Sequence, residues 1–451
     1  MSFSVDKQTL DDLNIFTKKG RDSVFGLFNR TRTRGGAEML EQMFRYPLSE
    51  AAAINRRTQI IRFFQVNNIA FPFKEEWFDL IEQYLGNVDE RSKLSQEDNK
   101  LGRTFNSLIG ADTEYKQIVK GLTGVLDFLS AFSSFLEQTN QRSAISKSAN
   151  PYSHELTVIA ALLNDPALLL VRNEACAGKL TYEQIAVNDK ILRFQKKEQL
   201  QKLLFHAWYL DVYIAVASVA TSRNFVFPNA LPAGEQNMKL EGVYHPLLEK
   251  AIGNNLVVTP ESNMIFLTGA NMAGKSTFMK SLGIAVFLAH VGFPVPATVM
   301  DFPVMDGLFS TINLPDNLGM GYSHFYAEVL RVKKVAEQLA ASKKIVVIFD
   351  ELFRGTNVKD AYEATVALTT AFAGKKDCIF IISTHIIEAG EELKAKCNNI
   401  HFVYLPTRME GQKPVYTYTL QEGITEDRHG MIIVNNEGII DMLKIENSTS
   451  Y

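Results

Sequence analysis

Cysteine is scarce in this sequence. Three thiols, Cys176, Cys378 and Cys397, are scattered through 451 residues with no C-x-x-C pair. That excludes a disulfide framework and a cysteine-built zinc site, and it fits a reducing, cytoplasmic setting. A charge excess is also missing: 47 Lys+Arg against 50 Asp+Glu leave a net charge of −3, which advertises no polyanionic partner by itself. No uninterrupted apolar run approaches the roughly 18 residues of a bilayer span. The start, Met1-Ser-Phe-Ser-Val-Asp6, lacks the basic-then-apolar order of a secretion signal, so no membrane partner is expected. Proline is sparse between residues 36 and 225, where only Pro47, Pro72, Pro151 and Pro166 occur.

What fills that stretch is helical. Apolar residues recur at three- and four-residue spacing, as in Leu122, Val125, Leu126, Leu129, Phe132 and Leu136, the period of a half-buried helix. Leu200 to Ala220 reads as one long helix. Phe227-Pro-Asn-Ala-Leu-Pro-Ala-Gly234 then interrupts the pattern, as a boundary between domains would. Beyond it strand and helix signals alternate. Residues 265–268, 344–349 and 378–383 are β-branched runs of the buried parallel kind, separated by helical stretches at 276–290, 324–341 and 359–373. His401–Leu405 and Val415–Leu420 read as an antiparallel hairpin. The expected fold class is mixed: an all-α domain over 1–235, then an α/β P-loop domain over 236–451.

The decisive segment is Met264 to Phe278, MIFLTGANMAGKSTF. An apolar strand runs through Gly269, Ala270, Asn271, Met272, Ala273 and Gly274 into Lys275, Ser276 and Thr277, where a helix starts. Strand, glycine-rich loop, lysine, hydroxyl and helix together define a phosphate loop. The glycines turn backbone N–H groups inward, and the helix N-terminus adds partial positive charge. Lys275 is expected at the β- and γ-phosphates of ATP and Ser276 on Mg2+. A second apolar strand ends in Asp350-Glu351. Asp350 is placed to hold the Mg2+ shell, and Glu351 to act as general base toward water. A third ends in Ser383-Thr384-His385. A histidine at the carboxyl end of a parallel strand lies on the ligand side, so His385 joins Glu351 as a catalytic candidate.

These motifs resemble the MutS family of DNA mismatch-repair ATPases. Thr268-Gly-Ala-Asn271-Met272-Ala-Gly-Lys-Ser-Thr277 is similar to its T-G-P-N-M-x-G-K-S-T loop, Phe353-Arg354-Gly355-Thr356 to its G-R-G-T, and Ser383-Thr384-His385 to its A-T-H. Tyr244-His245-Pro246-Leu247, Gly292–Ala297 and Gly423–Arg428 resemble its flanking segments, so the likeness covers 240–440. Leu27–Gly36, Pro47-Leu48 and Arg56-Arg57 resemble its core signature, and Asp211-Val with Ser218–Pro228 the end of its lever helix. The resemblance implies a core and lever followed by an ABC-type ATPase, with ATP and Mg2+ as ligands, DNA as partner, and a homodimer with composite sites. Ser323, in Ser323-His324-Phe325-Tyr326-Ala327-Glu328, is then a contact made in trans to the γ-phosphate.

Departures shape the expectation. The core signature begins near residue 27, which leaves no room before it for the family's mismatch-reading and connector domains. Phe73-Lys-Glu75 and Phe135-Leu-Glu137 match its wedge pattern, but on core helices. Asn255-Leu-Val-Val258 lacks the aromatic that family members carry against adenine. The function expected is therefore ATP binding and hydrolysis coupled to DNA, in mismatch repair or on recombining or branched DNA. Arg30, Arg32, Arg34, Arg56, Arg57 and Arg62 are the basic concentration able to meet phosphates, unless they form a solvated face or ion pairs. Two rivals remain. Another ABC-type ATPase, from a transporter or a chromosome-bridging protein, would carry L-S-G-G-Q before the acidic strand, and residues 325–344 hold no such string. An ATP-dependent dimerising scaffold would not require Glu351 and His385.

Overall fold

The computed structural model describes residues 3–16, 22–87, 89, 93–94, 110–145, 150–176, 178–270, 272–313, 324–410, 413–425, 438, 440 and 442. The chain divides into two compact units. One comprises Met1–Phe28, Met43–Thr58 and Val219–Tyr451; the other comprises Asn29–Gln42 and Gln59–Ser218. This differs from two contiguous segments meeting at 235/236. The division falls inside the helices Arg34–Arg45, Ala51–Asn67 and Lys197–Arg223, and the proline-rich break is no linker. Asn229–Ala230 within it forms strand β2, and the Asn55 amide bonds both the N–H and the carbonyl of Ala230.

The first unit is built on a seven-stranded sheet. Its order is β1 (Ser4–Val5), β7 (Gly307–Thr311), β8 (Ile345–Asp350), β9 (Ile379–Ser383), β5 (Met264–Gly269), β10 (Ile400–Leu405) and β13 (Gln421–Glu422). All neighbours run parallel except β10 and β13. The central strands are buried on both faces, as their unbroken apolar runs require. Helix α11 (Lys275–Val291) is apolar nearly all round and buried from Ser281 to Val291, the expected fate of such a helix. Helices α12 (His324–Ala340), α13 (Val358–Ala373) and α14 (Ile387–Lys396) complete the layers. The expected hairpin forms elsewhere: β10 is claimed by the parallel sheet, and the hairpin is β11 (Thr407–Glu410) with β12 (Lys413–Tyr416). A second sheet of β2, β6 (Val299–Phe302), β3 (Met238–Val243) and β4 (Asn254–Val258) was not foreseen.

The N-terminal residues belong to this unit because β1 adds to the edge of the sheet beside β7. Phe3 stacks on His290 with ring centroids 3.9 Å apart. His290 is fully buried near the end of α11. Its Nδ1 lies 2.8 Å from the Val286 carbonyl, and its Nε2 accepts the Met305 N–H at 3.1 Å. Burial pulls its pKa down to about 4, so the ring is neutral and both nitrogens are used.

The second unit is helical. Helix α6 (Gly110–Ile145) turns Ile118, Leu122, Val125, Leu129 and Phe132 inward. Phe71, Phe73, Phe78, Phe128 and Phe132 form one aromatic cluster. Phe73 and Phe135 are each only 4% exposed, so neither wedge-like match presents its ring to a ligand. Two helical stretches, 113–142 and 197–223, are long and apolar enough to cross a membrane by length and composition, but their apolar windows are 50% and 67% buried inside the fold. They read as core helices.

The Thr31–Gly36 stretch has a physical reason in this unit. Thr33 caps helix α3 (Arg34–Arg45), its hydroxyl accepting the Gly36 N–H at 3.0 Å. The Asp211 carboxylate accepts the N–H groups of Arg32 and Thr33 and the Thr33 hydroxyl at 2.8–3.1 Å. A Cβ on Gly35 would lie 2.3 Å from the Trp208 ring, and one on Gly36 would lie 2.4 Å from Asp211. Only hydrogen fits at either position.

Candidate nucleotide site

The carboxyl ends of β5, β8 and β9 converge. Ser383 pairs with Asp350 across β8 and β9 and with Leu267 across β9 and β5. The side chains that follow these strands therefore share one edge of the sheet, where ligands bind in open α/β folds. The loop leaving β5 is sharply turned at its described residues. Gly269, Met272 and Gly274 take φ of 145°, 69° and 102°, the left-handed turns that point successive N–H groups inward. A Cβ on Gly274 would meet the Tyr418 ring at 3.0 Å. Ala273 is buried, and α11 starts at Lys275.

Lys275 is 5% exposed. Its ammonium donates to the carbonyls of Gly269 and Ala270 at 2.9 and 3.1 Å, so it is folded back over its own loop. Burial lowers its pKa, while Glu351 and Asp350 pull the other way. Ser276 donates to Asp350 Oδ2 at 2.5 Å, and Ser383 donates to Asp350 Oδ1. Ser276 and Asp350 thus present hard oxygen donors side by side, the donor set that suits Mg2+. Thr277 follows in the first turn of α11.

Glu351 leaves β8 with φ of 56°, a strained conformation of the kind that gathers at active sites. Its N–H donates to the Ser383 carbonyl at 3.0 Å. One carboxylate oxygen lies 2.5 Å from His385 Nε2, and the other lies 3.5 Å from Arg354. The His385 bond holds the Glu351 carboxyl below its ordinary range, against the effect of burial. Gly355 lets this loop pass the first turn of α12: a Cβ there would meet the Phe325 nitrogen at 2.6 Å.

Lys275, Ser276, Asp350, Glu351 and His385 are therefore brought together, beside Gly269, Met272, Ala273, Gly274 and Thr277. Asn271 and Ser323 lie outside the described residues. Two features escaped the sequence reading. Ser383 bonds Asp350, a pairing that the strand register creates. Tyr418, with φ of 54° and 45% exposed as a residue, lines a cleft of about 520 Å³ with His245, Ile252, Lys275 and Thr277. It offers an aromatic face where Asn255–Val258 does not. A smaller polar pocket of about 130 Å³ is lined by Ser276, Asp350 and Glu351 together with Thr311, Ile312 and Asn313.

A helical unit and an α/β unit whose sheet edge gathers a glycine-rich loop, an acidic strand end and a strand-end histidine define a class of two-part proteins with an open α/β sheet. Comparison with known proteins narrows the class. The family profile MutS domain V matches residues 265–446 and MutS domain III matches residues 8–217, which supports placing the chain in the MutS family. The DNA mismatch repair protein MutS of Geobacillus thermodenitrificans (strain NG80-2) is 27% identical over 288 residues. That alignment covers 62% of this chain and 31% of the relative, so the chain spans about a third of that protein's length.

Proposed function

We propose that this chain is a MutS-type ATPase. It binds ATP with Mg2+, hydrolyses it to ADP and phosphate, and couples the cycle to DNA in mismatch repair or on recombining or branched DNA. The observation that carries the reading is the meeting of Lys275, Ser276, Asp350, Glu351 and His385 at one sheet edge. Loop N–H groups and Lys275 bind the phosphates, with Lys275 exchanging its loop carbonyls for phosphate oxygens. Ser276 and Asp350 hold Mg2+, which when bound neutralises charge on the phosphate oxygens. The Glu351 carboxylate accepts a proton from water as the water oxygen bonds to the γ-phosphorus and the bond to the bridging oxygen breaks. His385 orients Glu351 through its ring nitrogen. On this reading the helical unit of Asn29–Gln42 and Gln59–Ser218 supplies the core and lever, the unit of Met1–Phe28, Met43–Thr58 and Val219–Tyr451 the ATPase, and Ser323 reaches the nucleotide of a second copy.

The test is Glu351→Ala. It is expected to bind nucleotide normally and to turn over roughly a hundredfold more slowly, the usual loss with a general base. Binding by titration calorimetry and phosphate release in steady state check it. Near-normal release would give the water to another residue.

A further inference from the structure

The polar pocket beside Glu351 has a wall that is not held by the strands forming the rest of the site. Strand β1 is two residues long and pairs with Gly307 and Leu308 alone. Among the described residues, no strand covers the outer edge of β7 beyond Leu308. Side chains of the short helix α1 (Lys7–Asp12) take over. Thr9 Oγ1 accepts the Ser310 N–H at 2.9 Å. Asp12, 3% exposed, accepts the Ser310 hydroxyl at 2.7 Å and the N–H groups of Ile312 and Asn313 at 2.9 and 3.0 Å. Gln8 donates to the Asn313 carbonyl at 2.7 Å and to Asp12 at 2.9 Å. Ile312 and Asn313 line the same pocket as Ser276, Asp350 and Glu351.

The same segment grips the neighbouring wall. Arg331, on α12, donates to the Ser310 carbonyl at 2.7 Å and to Thr311 Oγ1 at 3.1 Å. Its guanidinium is held in turn by both oxygens of Asp6. Helix α12 also carries His324 and Glu328 into the pocket. Residues 310–313 and Arg331 are therefore anchored to residues 6–12, and within 310–313 Asp12 is the hub.

We propose that Asp12 is a positioning residue of the ATPase pocket, fixing through the main chain of Ile312 and Asn313 the lining they share with Glu351. This rests on the reading of the pocket as an ATPase site. Asp12 touches neither nucleotide nor metal; it sets where the water beside Glu351 is enclosed. Small misplacements of such a wall lower the chemical step and leave nucleotide affinity to the phosphate loop.

The experiment uses the full chain with Asp12→Asn and Gln8→Ala. Asparagine keeps the shape but turns a donor toward main-chain N–H groups. Single-turnover hydrolysis, affinity for a fluorescent ATP analogue with Mg2+, and urea unfolding are measured together. The expected result is a fall in kcat of about tenfold or more for Asp12→Asn, with affinity within about twofold of wild type, and a smaller fall for Gln8→Ala. If Asp12→Asn does not fold, Gln8→Ala decides by the same split between kcat and affinity. A loss of stability with unchanged kcat per folded molecule means that α1 only covers a sheet edge, and it overturns the proposal. So does an equal loss of kcat and affinity. Absence of turnover in the wild type would remove the ATPase reading itself and this proposal with it, an outcome distinct from an active wild type with unaffected variants.

Discussion

Lys275 sits in a place that disfavours its own charge. Burial lowers its pKa, and its ammonium is held by two loop carbonyls. On the proposed reading a triphosphate would replace those carbonyl dipoles with full negative charge, a charge-assisted contact that this ammonium supplies. Lys275→Ala is expected to abolish ATP binding. Calorimetric titration with a slowly hydrolysed analogue checks it, and wild-type affinity in the variant would refute the phosphate-loop assignment. The local strand, loop and helix here were legible in sequence, because a strand, a glycine-rich loop and a lysine are contiguous. The Ser383–Asp350 bond and the Tyr418 ring were not: each depends on register or on a left-handed turn set by residues far away in the chain.

At the scale of elements, periodicity gave the long helices and the central strands within about three residues: 200–220 became Lys197–Arg223, 276–290 became Lys275–Val291, and 344–349 became Ile345–Asp350. It missed β1, β2 and β13, two residues each, because pairs so short carry no pattern of their own and exist only through their neighbours. It also misread β10, whose partners are chosen by the parallel sheet. The buried end of α11 shows what such long-range contacts imply for stability. His290 titrates near 6.5 when unfolded and about 4 when folded. Between those values the unfolded chain binds more protons, so stability falls as pH drops through this window and is unaffected by this group above it. The full cost is on the order of 3 kcal/mol at 1.36 kcal/mol per unit. Urea midpoints across this window are expected to fall for the wild type and to change less for His290→Gln. Equal slopes would place the acid sensitivity elsewhere.

At the scale of the whole molecule, the proposed function requires a second copy and DNA. A composite site predicts that ATP with Mg2+ drives Glu351→Ala into dimers by light scattering; a monomer at every concentration would exclude a trans contact from Ser323. For DNA the sequence suggested one basic cluster, and the structure divides it. Arg57 donates to the Val291 carbonyl at 2.6 Å and packs on Gly292, which commits it to the fold. Arg34 bonds Glu82 and lies 3.9 Å from Glu38. Arg30 and Arg32 are exposed beside the Asp211-capped start of α3. Contacts from such residues are to phosphate, which positions a protein but carries no sequence information. Replacing Arg30, Arg32 and Arg34 together with glutamine is expected to weaken binding to all duplexes alike. The slope of log affinity against log salt should shrink by about 2, because each phosphate contact contributes about 0.9 and Arg34 is already engaged. Fluorescence anisotropy on matched and G·T-containing duplexes across a salt series measures both quantities. A tenfold preference for the mismatch, about 1.4 kcal/mol, would demand a base-reading element that phosphate contacts cannot supply.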